Sequence, residues 1–302
     1  MKTFYEQIIK TGSEISNKDI VDKSGFNYGE ILSLLDKSVL IKIDNVAQYF
    51  WEISGQEYWD IYKDFPNCAP IFNNMFFEYQ SPEFTNANGN IVEIRSEIET
   101  EIEIEKTGCL VLSEEIGKTV FYDSEKWVLN IAVISKTNRG ISFWPGICSL
   151  IINKFGKILD HKYLISSYFD KEHQEYLIEG IRQALNPVLL ALSFMHCKNI
   201  KQVEYIPKLH IGRSSQPRHA PRVKHYTLEI DPMKKILESE GGISRNGIQK
   251  ALHICRGHFK NFTDDKPLFG KRTGTYWWSD QVRGKVENGV VEKDYSVLSP
   301  KA

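Results

Sequence analysis

The stretch ALHICRGHFKNF, residues 251 to 262, places His253, Arg256, His258 and Lys260 among apolar residues within twelve positions. An imidazole takes and returns protons near neutral pH, and a guanidinium or ammonium group holds negative charge developing on phosphate. The segment KPLFGKRTGTYWWSDQVRG then adds Lys271, Arg272, Thr273, Thr275, Tyr276, Trp277, Trp278 and Arg283 between Gly270, Gly274 and Gly284. Cations, hydroxyls and flat rings are the set that a metal-independent ribonuclease uses. One imidazole takes the ribose 2′-OH proton, a second acid protonates the leaving 5′-oxygen, and an aromatic ring stacks an unpaired base. On this reading His258 is general base or acid, His253 is its partner or orienter, and Arg256 and Lys271 hold phosphate. Lys260, Arg272, Thr273, Thr275, Tyr276, Trp278 and Arg283 line the RNA path. The competing reading is a non-enzymatic binding protein that docks a protein partner and uses the basic block only to hold RNA or ribosome, with a nucleic-acid-binding regulator third. The same residue types also suit a bland reading, with core tryptophans, a structural histidine and surface charge.

Metal chemistry fits the stretch poorly. Five residues apart, His253 and His258 diverge by about 140° on a helix and face opposite sides of a strand. No carboxylate or thiol stands at zinc-binding spacing, so the expectation is no metal and no cofactor. Cys255, between Ile254 and Arg256, has no partner identifiable from sequence that would activate it as a nucleophile.

Charge separates this region from the rest of the chain. Residues 1 to 200 carry 19 Lys+Arg against 28 Asp+Glu, and residues 201 to 302 carry 19 against 11. Balances of -9 and +8 thus hide beneath a net charge of -1. The basic third also holds His210, His219, His225, His253 and His258, five of the eight histidines. Such a third attracts phosphate while the acidic part repels it. With 302 residues, 41% of them hydrophobic, the chain can bury a core and fits one large domain or two smaller ones. The scattered cysteines Cys68, Cys109, Cys148, Cys197 and Cys255 form no CxxC pair and read as free buried thiols. MKTFYEQIIK has no apolar run after its first lysine, and NPVLLALSFMHC is far shorter than the roughly 20 residues of a membrane span, so a cytoplasmic protein is expected.

The elements that must position the basic stretch read as α+β. Short helices occupy about the first 65 residues, and NKDIVDKSGFNYGEILSLLDK has helix-turn-helix spacing. No cation stands on its second helix, which favours structural helix pairing over DNA reading. Trp51, Tyr58, Trp59, Tyr62 and Phe65 read as core aromatics. In IVEIRSEIETEIEIE the alternation of Val92, Ile94, Ile98, Ile102 and Ile104 with glutamates predicts a strand with a carboxylate face. Glu97, Glu99 and Glu101 on that face are candidates for a partner's basic segment. CLVLS, WVLNIAVIS and ISFWPGICSLII supply further strands, the last bent at Pro145-Gly146. Short connections predict a mostly antiparallel sheet. A long helix from about Glu172 to Cys197, striped by Leu177, Ile181, Leu185, Leu189 and Leu192, should cover it, with Pro187 kinking it or starting a second segment. The expected organisation is an acidic α+β body over 1–207, a basic loop over 208–224 and a small, basic, β-rich module over 225–302.

LHICRGHFKNF, followed by LFGKRTGTYWWSDQVRG and EKDYSV, resembles the carboxy-terminal segment shared by a widespread set of phage, plasmid and bacterial proteins that includes the second type V-A anti-CRISPR family. The likeness rests on His253, Arg256, Gly257, His258 and the aromatic Phe259, then the glycine-bounded loop and the Trp-bearing strand. It implies a protein that lowers the messenger RNA of a target after recognising part of the target's nascent polypeptide. The family pattern has a tryptophan in place of Phe259 and a third histidine in place of Lys260, so no role of that histidine carries over.

Overall fold

The computed structural model describes residues 4–15, 33–54, 60–81, 104–116, 125–167, 169–206, 224–230, 251–255, 257–278, 281–283 and 285–290. The chain divides into two compact units, Met1–His196 with Gln202–Glu229, and Cys197–Lys201 with Ile230–Ala302. The fold is α+β: the strands expected over CLVLS, WVLNIAVIS and ISFWPGICSLII and the long helix are present, while the expected strand IVEIRSEIETEIEIE lies outside the described residues up to Glu103.

The large unit is built on an eight-stranded sheet in the order β6-β5-β4-β3-β2-β1-β8-β7. Its strands are β1 (Val39–Lys42), β2 (Asn74–Gln80), β3 (Ile104–Glu115), β4 (Glu125–Thr137), β5 (Gly140–Asn153), β6 (Ile158–Ile165), β7 (Ile200–Tyr205) and β8 (His225–Ile230). From β2 to β6 each strand pairs antiparallel with the next. By contrast, β1 runs parallel to both β2 and β8, which makes the sheet mixed. The parallel β1–β2 pair needs a crossover, and helix α2 (Asp44–Ser54) lies between them in the chain. Strand β8 pairs in this sheet, and the later part of the second unit runs from Ile230.

Alternation sends one set of side chains to each face. Phe76, Leu110 and Ile134 pack with Leu40 against Phe4, Tyr5 and Ile8 of helix α1 (Phe4–Ile15). There Gly108 leaves room for an aromatic ring, because a Cβ would lie 2.3 Å from Phe76 Cζ. Glu78 is buried at 1% exposure, accepts the Tyr5 backbone N–H at 3.3 Å and pairs with Lys106 at 3.2 Å. A buried charge needs such partners, and a carboxylate at a helix N-terminus answers an otherwise orphaned donor.

The other face meets helix α3 (Lys171–Met195). Asp170 caps its start by accepting the His173 backbone N–H at 2.9 Å. Ile181, Leu185, Leu189 and Leu192 are buried as the stripe requires, and Pro187 lies inside one continuous helix. Tyr79 donates its hydroxyl to the Ala184 carbonyl at 2.8 Å. Pro145 is accommodated by a bulge: Phe143 pairs with Ile134 and Ile147 with Ala132, so Trp144, Pro145 and Gly146 span the place opposite Val133. Trp144 donates its indole N–H to buried Ser135 at 2.9 Å and packs on Gly180 of α3, where a Cβ would lie 2.4 Å from the ring.

Cys68, Cys109, Cys148 and Cys197 are free and buried, and burial pushes the thiols of Cys68, Cys148 and Cys197 up to about 12. Among the described residues no helix is long and apolar enough to cross a membrane. Glu97, Glu99, Glu101, the basic segment 208–224 except Lys224, and most of the helix-turn-helix segment lie outside the described residues.

Candidate nucleic-acid interface

Strands β9 (Ala251–Cys255), β10 (His258–Phe262), β11 (Gly274–Trp278), β12 (Gln281–Arg283) and β13 (Lys285–Val290) make up the second unit's two small sheets. One is a hairpin of β10 and β11, and the other has the order β12-β9-β13. The opening stretch is therefore split between two sheets. His253 pairs in register with Arg283 on β9–β12, while His258 pairs with Trp278 on the hairpin. The side chains of His253, Cys255 and Arg283, and all of Arg256, lie outside the described residues.

Antiparallel register decides what the hairpin displays. His258 lies opposite Trp278, Lys260 opposite Tyr276 and Phe262 opposite Gly274, so these side chains share one face. Phe259 and Trp277 point to the other, with ring centroids 4.7 Å apart and Trp277 2% exposed. On the first face His258 and Lys260 are exposed, Phe262 and Trp278 are half-buried, and Tyr276 is 4% exposed. The His258 and Trp278 rings are nearly parallel, at 12° with centroids 6.4 Å apart. Lys260 Nζ stands 5.1 Å from the Phe262 ring centroid and 5.4 Å from that of Trp278. That is cation–π range on both sides, with the charge kept in water.

Two devices hold this face in shape. Asn199 forms a two-point clamp on β11, donating Nδ2–H to the Trp277 carbonyl at 2.8 Å and accepting the Trp277 N–H at 2.9 Å. Beside it, the Lys198 N–H donates to the Thr275 carbonyl at 2.9 Å. At the far end Leu268 and Arg272 exchange backbone hydrogen bonds of 2.7 and 3.0 Å across Phe269 and Gly270, whose φ values are +55° and +71°. The turn tucks Leu268 against Tyr276, Phe262 and Trp278.

The remaining predicted positions sort by this geometry. Lys271 and Thr273 are exposed and Arg272 half-buried near the turn, at the end of the hairpin opposite His258. Four strand steps put about 13 Å between those ends. Lys260, and not Lys271, is the cation that shares a face with His258. Tyr276 packs beneath Phe262 and Leu268 and does not offer its ring to a base, and Thr275 points to the opposite face. Phe262 and Asn199 escaped the sequence reading. Phe262 carried a usable signal, the parity it shares with His258 and Lys260, whereas the Asn199 contact spans 78 residues and has none. Among the described residues no cluster of His, Cys, Asp or Glu fits a metal ion.

A second constellation lies in the large unit. Tyr62, expected in the core, is 42% exposed and its hydroxyl meets His161 Nδ1 at 2.5 Å. Asp60, Ile61, Tyr62, His161, Tyr163 and Arg182 line an open cavity of about 220 Å³.

No family model matches the chain, and no curated protein matches it. A solved structure, the crystal structure of AcrVA2, is similar over 92% of this chain and 92% of that chain, with 12% sequence identity and a TM-score of 0.32. The similarity runs along the whole chain rather than along its carboxy-terminal segment alone, and at that level it fixes neither fold nor function.

Proposed function

We propose that the β10–β11 hairpin is a docking face for single-stranded RNA, and that the protein is RNA-directed, with its acidic body left to a protein partner. The observation that carries this reading is the position of Lys260 between the rings of Phe262 and Trp278, beside exposed His258. A cation beside flat apolar rings matches a polymer that alternates phosphates with unpaired bases, and the +8 balance of residues 201 to 302 supplies the long-range attraction. Resemblance of the carboxy-terminal block to the anti-CRISPR family extends the proposal to a messenger RNA whose nascent polypeptide the body recognises. Glu97, Glu99 and Glu101 are the segment proposed for that contact.

Cleavage is the second reading, favoured by the presence of an exposed imidazole on the same face as a phosphate-binding cation. It assigns proton transfer to His258 and needs a second acid, for which His253 stays the candidate, with Arg256 and Lys260 on the reacting phosphate and Lys271, at the turn, left to a phosphate farther along the strand. Incubating the full chain with end-labelled single-stranded RNA in chelator tests both. Docking predicts a retained complex at low salt. Cleavage predicts 2′,3′-cyclic phosphate ends that fall by about 10² to 10⁴-fold in His258→Ala while affinity changes little. Absence of any complex at low salt would remove the docking proposal, and intact RNA would remove cleavage alone.

A further inference from the structure

The cavity around Tyr62 joins three elements of the large unit: the turn at Asp60 to Asp64, strand β6 and helix α3. None of its residues belongs to the basic stretch. Three rings line it, and His161 meets both tyrosines edge to face, with Tyr62 at 60° and 5.6 Å and Tyr163 at 82° and 5.3 Å between centroids. Angles that steep give the His161 ring no parallel partner among these two with which to sandwich a nucleobase, and edge-to-face rings suit a compact group better.

The polar tips are already engaged. Tyr62 and His161 bond each other, and Asp60 accepts the Tyr62 backbone N–H at 2.9 Å and pairs with Lys63 at 2.7 Å. Arg182 grips both oxygens of Glu179 at 2.9 and 2.7 Å. What remains for a ligand is ring surface, the Ile61 side chain and the local field. Of the charged residues that line the cavity, Arg182 is paired with Glu179 and Asp60 with Lys63, and Asp160 adds a negative charge near Tyr62: burial first, then Asp160 and Asp60, push the Tyr62 phenol up. Neutral rings in an acidic surround suit a cation, and the engaged donors and acceptors suit one that asks for few hydrogen bonds.

We infer that this cavity binds a methylated ammonium group, held by the faces of Tyr62, His161 and Tyr163 with Asp60 and Asp160 supplying the field. Two sources share that chemistry, a free quaternary amine and a methylated lysine of a protein. Titration of the full chain, followed through the His161 ring resonances, uses choline, tetramethylammonium, a trimethyl-lysine peptide and 3,3-dimethylbutan-1-ol, the uncharged shape match of choline. Choline should shift the His161 signals saturably and bind about tenfold more tightly than its neutral match, the size expected when charge over aromatic faces carries recognition. Tighter binding of the trimethyl-lysine peptide than of choline points to a protein source, and equal binding points to a free amine. Tyr62→Leu, at an exposed ring, should abolish the choline shift without moving the melting temperature appreciably, and Tyr163→Phe should keep it. Equal binding of the neutral alcohol, or no saturable shift with choline up to about 50 mM, overturns the assignment. RNA docking by the hairpin is unaffected by either outcome.

Discussion

The two units handle polar groups in opposite ways. In the large unit, buried Glu78 is answered by Lys106 and the Tyr5 N–H, buried Ser135 by the Trp144 indole, and the Tyr79 hydroxyl by a helix carbonyl. These buried groups are answered from within the unit, so they specify the fold. On the hairpin the charged and imidazole groups of Lys260 and His258 are exposed, with the Lys260 ammonium beside flat apolar surface. Such exposed groups add little to folding and lie where a ligand can reach them. A change of residue should therefore alter stability in the interior of the first unit and binding on the hairpin face of the second.

Phe76→Ala should break the first unit hardest. The ring is fully buried and lies 5.5 Å from Tyr5 and 6.3 Å from Phe4, centroid to centroid. Its loss should cost about 3 to 5 kcal/mol in urea denaturation, and a cost below about 1 kcal/mol would mean that α1 does not depend on this core. Gly108→Ala sharpens the point from the other side. Its methyl group would press on the same ring, so about 1 to 3 kcal/mol of destabilisation is expected from overpacking at a strand position where alanine would otherwise be harmless.

A smaller effect should appear with pH. His196 donates Nε2–H to the Ala69 carbonyl at 2.9 Å, and burial holds its pKa below the usual histidine value. The unfolded chain then binds the proton more readily than the folded one. Stability should stay flat above the unfolded pKa of about 6.5 and fall as pH drops through it toward the lowered folded value. Urea midpoints between pH 7.5 and 5 check this, and His196→Gln should flatten the slope. Smallest of all, His258→Ala and Lys260→Ala should leave the folding free energy within about 0.5 kcal/mol of the parent chain. A larger loss would make the hairpin face a structural element and blur the contrast between the units.

Much of the large unit was legible because its signals are local. Apolar runs marked β3, β4 and β5, the 3.6-residue stripe marked α3, and Pro145 announced a bend that is realised as a bulge. What escaped depends on distant partners. No local pattern says that β1 runs parallel to β2 and β8, because its second neighbour lies far along the chain. Ring chemistry placed Tyr62 in the core, whereas its hydroxyl finds His161 across 99 residues. At the candidate site the types were readable and the grouping was not. His253 and His258 looked like one unit, yet β9 ends at Cys255 and β10 starts at His258, which assigns them to different sheets. Lys260 shares a face with His258 by strand parity, whereas Lys271 falls in the turn at the other end of the hairpin, a separation that residue types do not reveal.

The hairpin claim is tested most directly by the salt dependence of single-stranded RNA binding, measured by fluorescence anisotropy for the parent chain and for Lys260→Ala. If Lys260 contacts one phosphate, the substitution should weaken binding at low salt and reduce the log-log salt slope by about 0.7. Parent and variant lines that superimpose, with a folded variant, would contradict the assignment of RNA to this face.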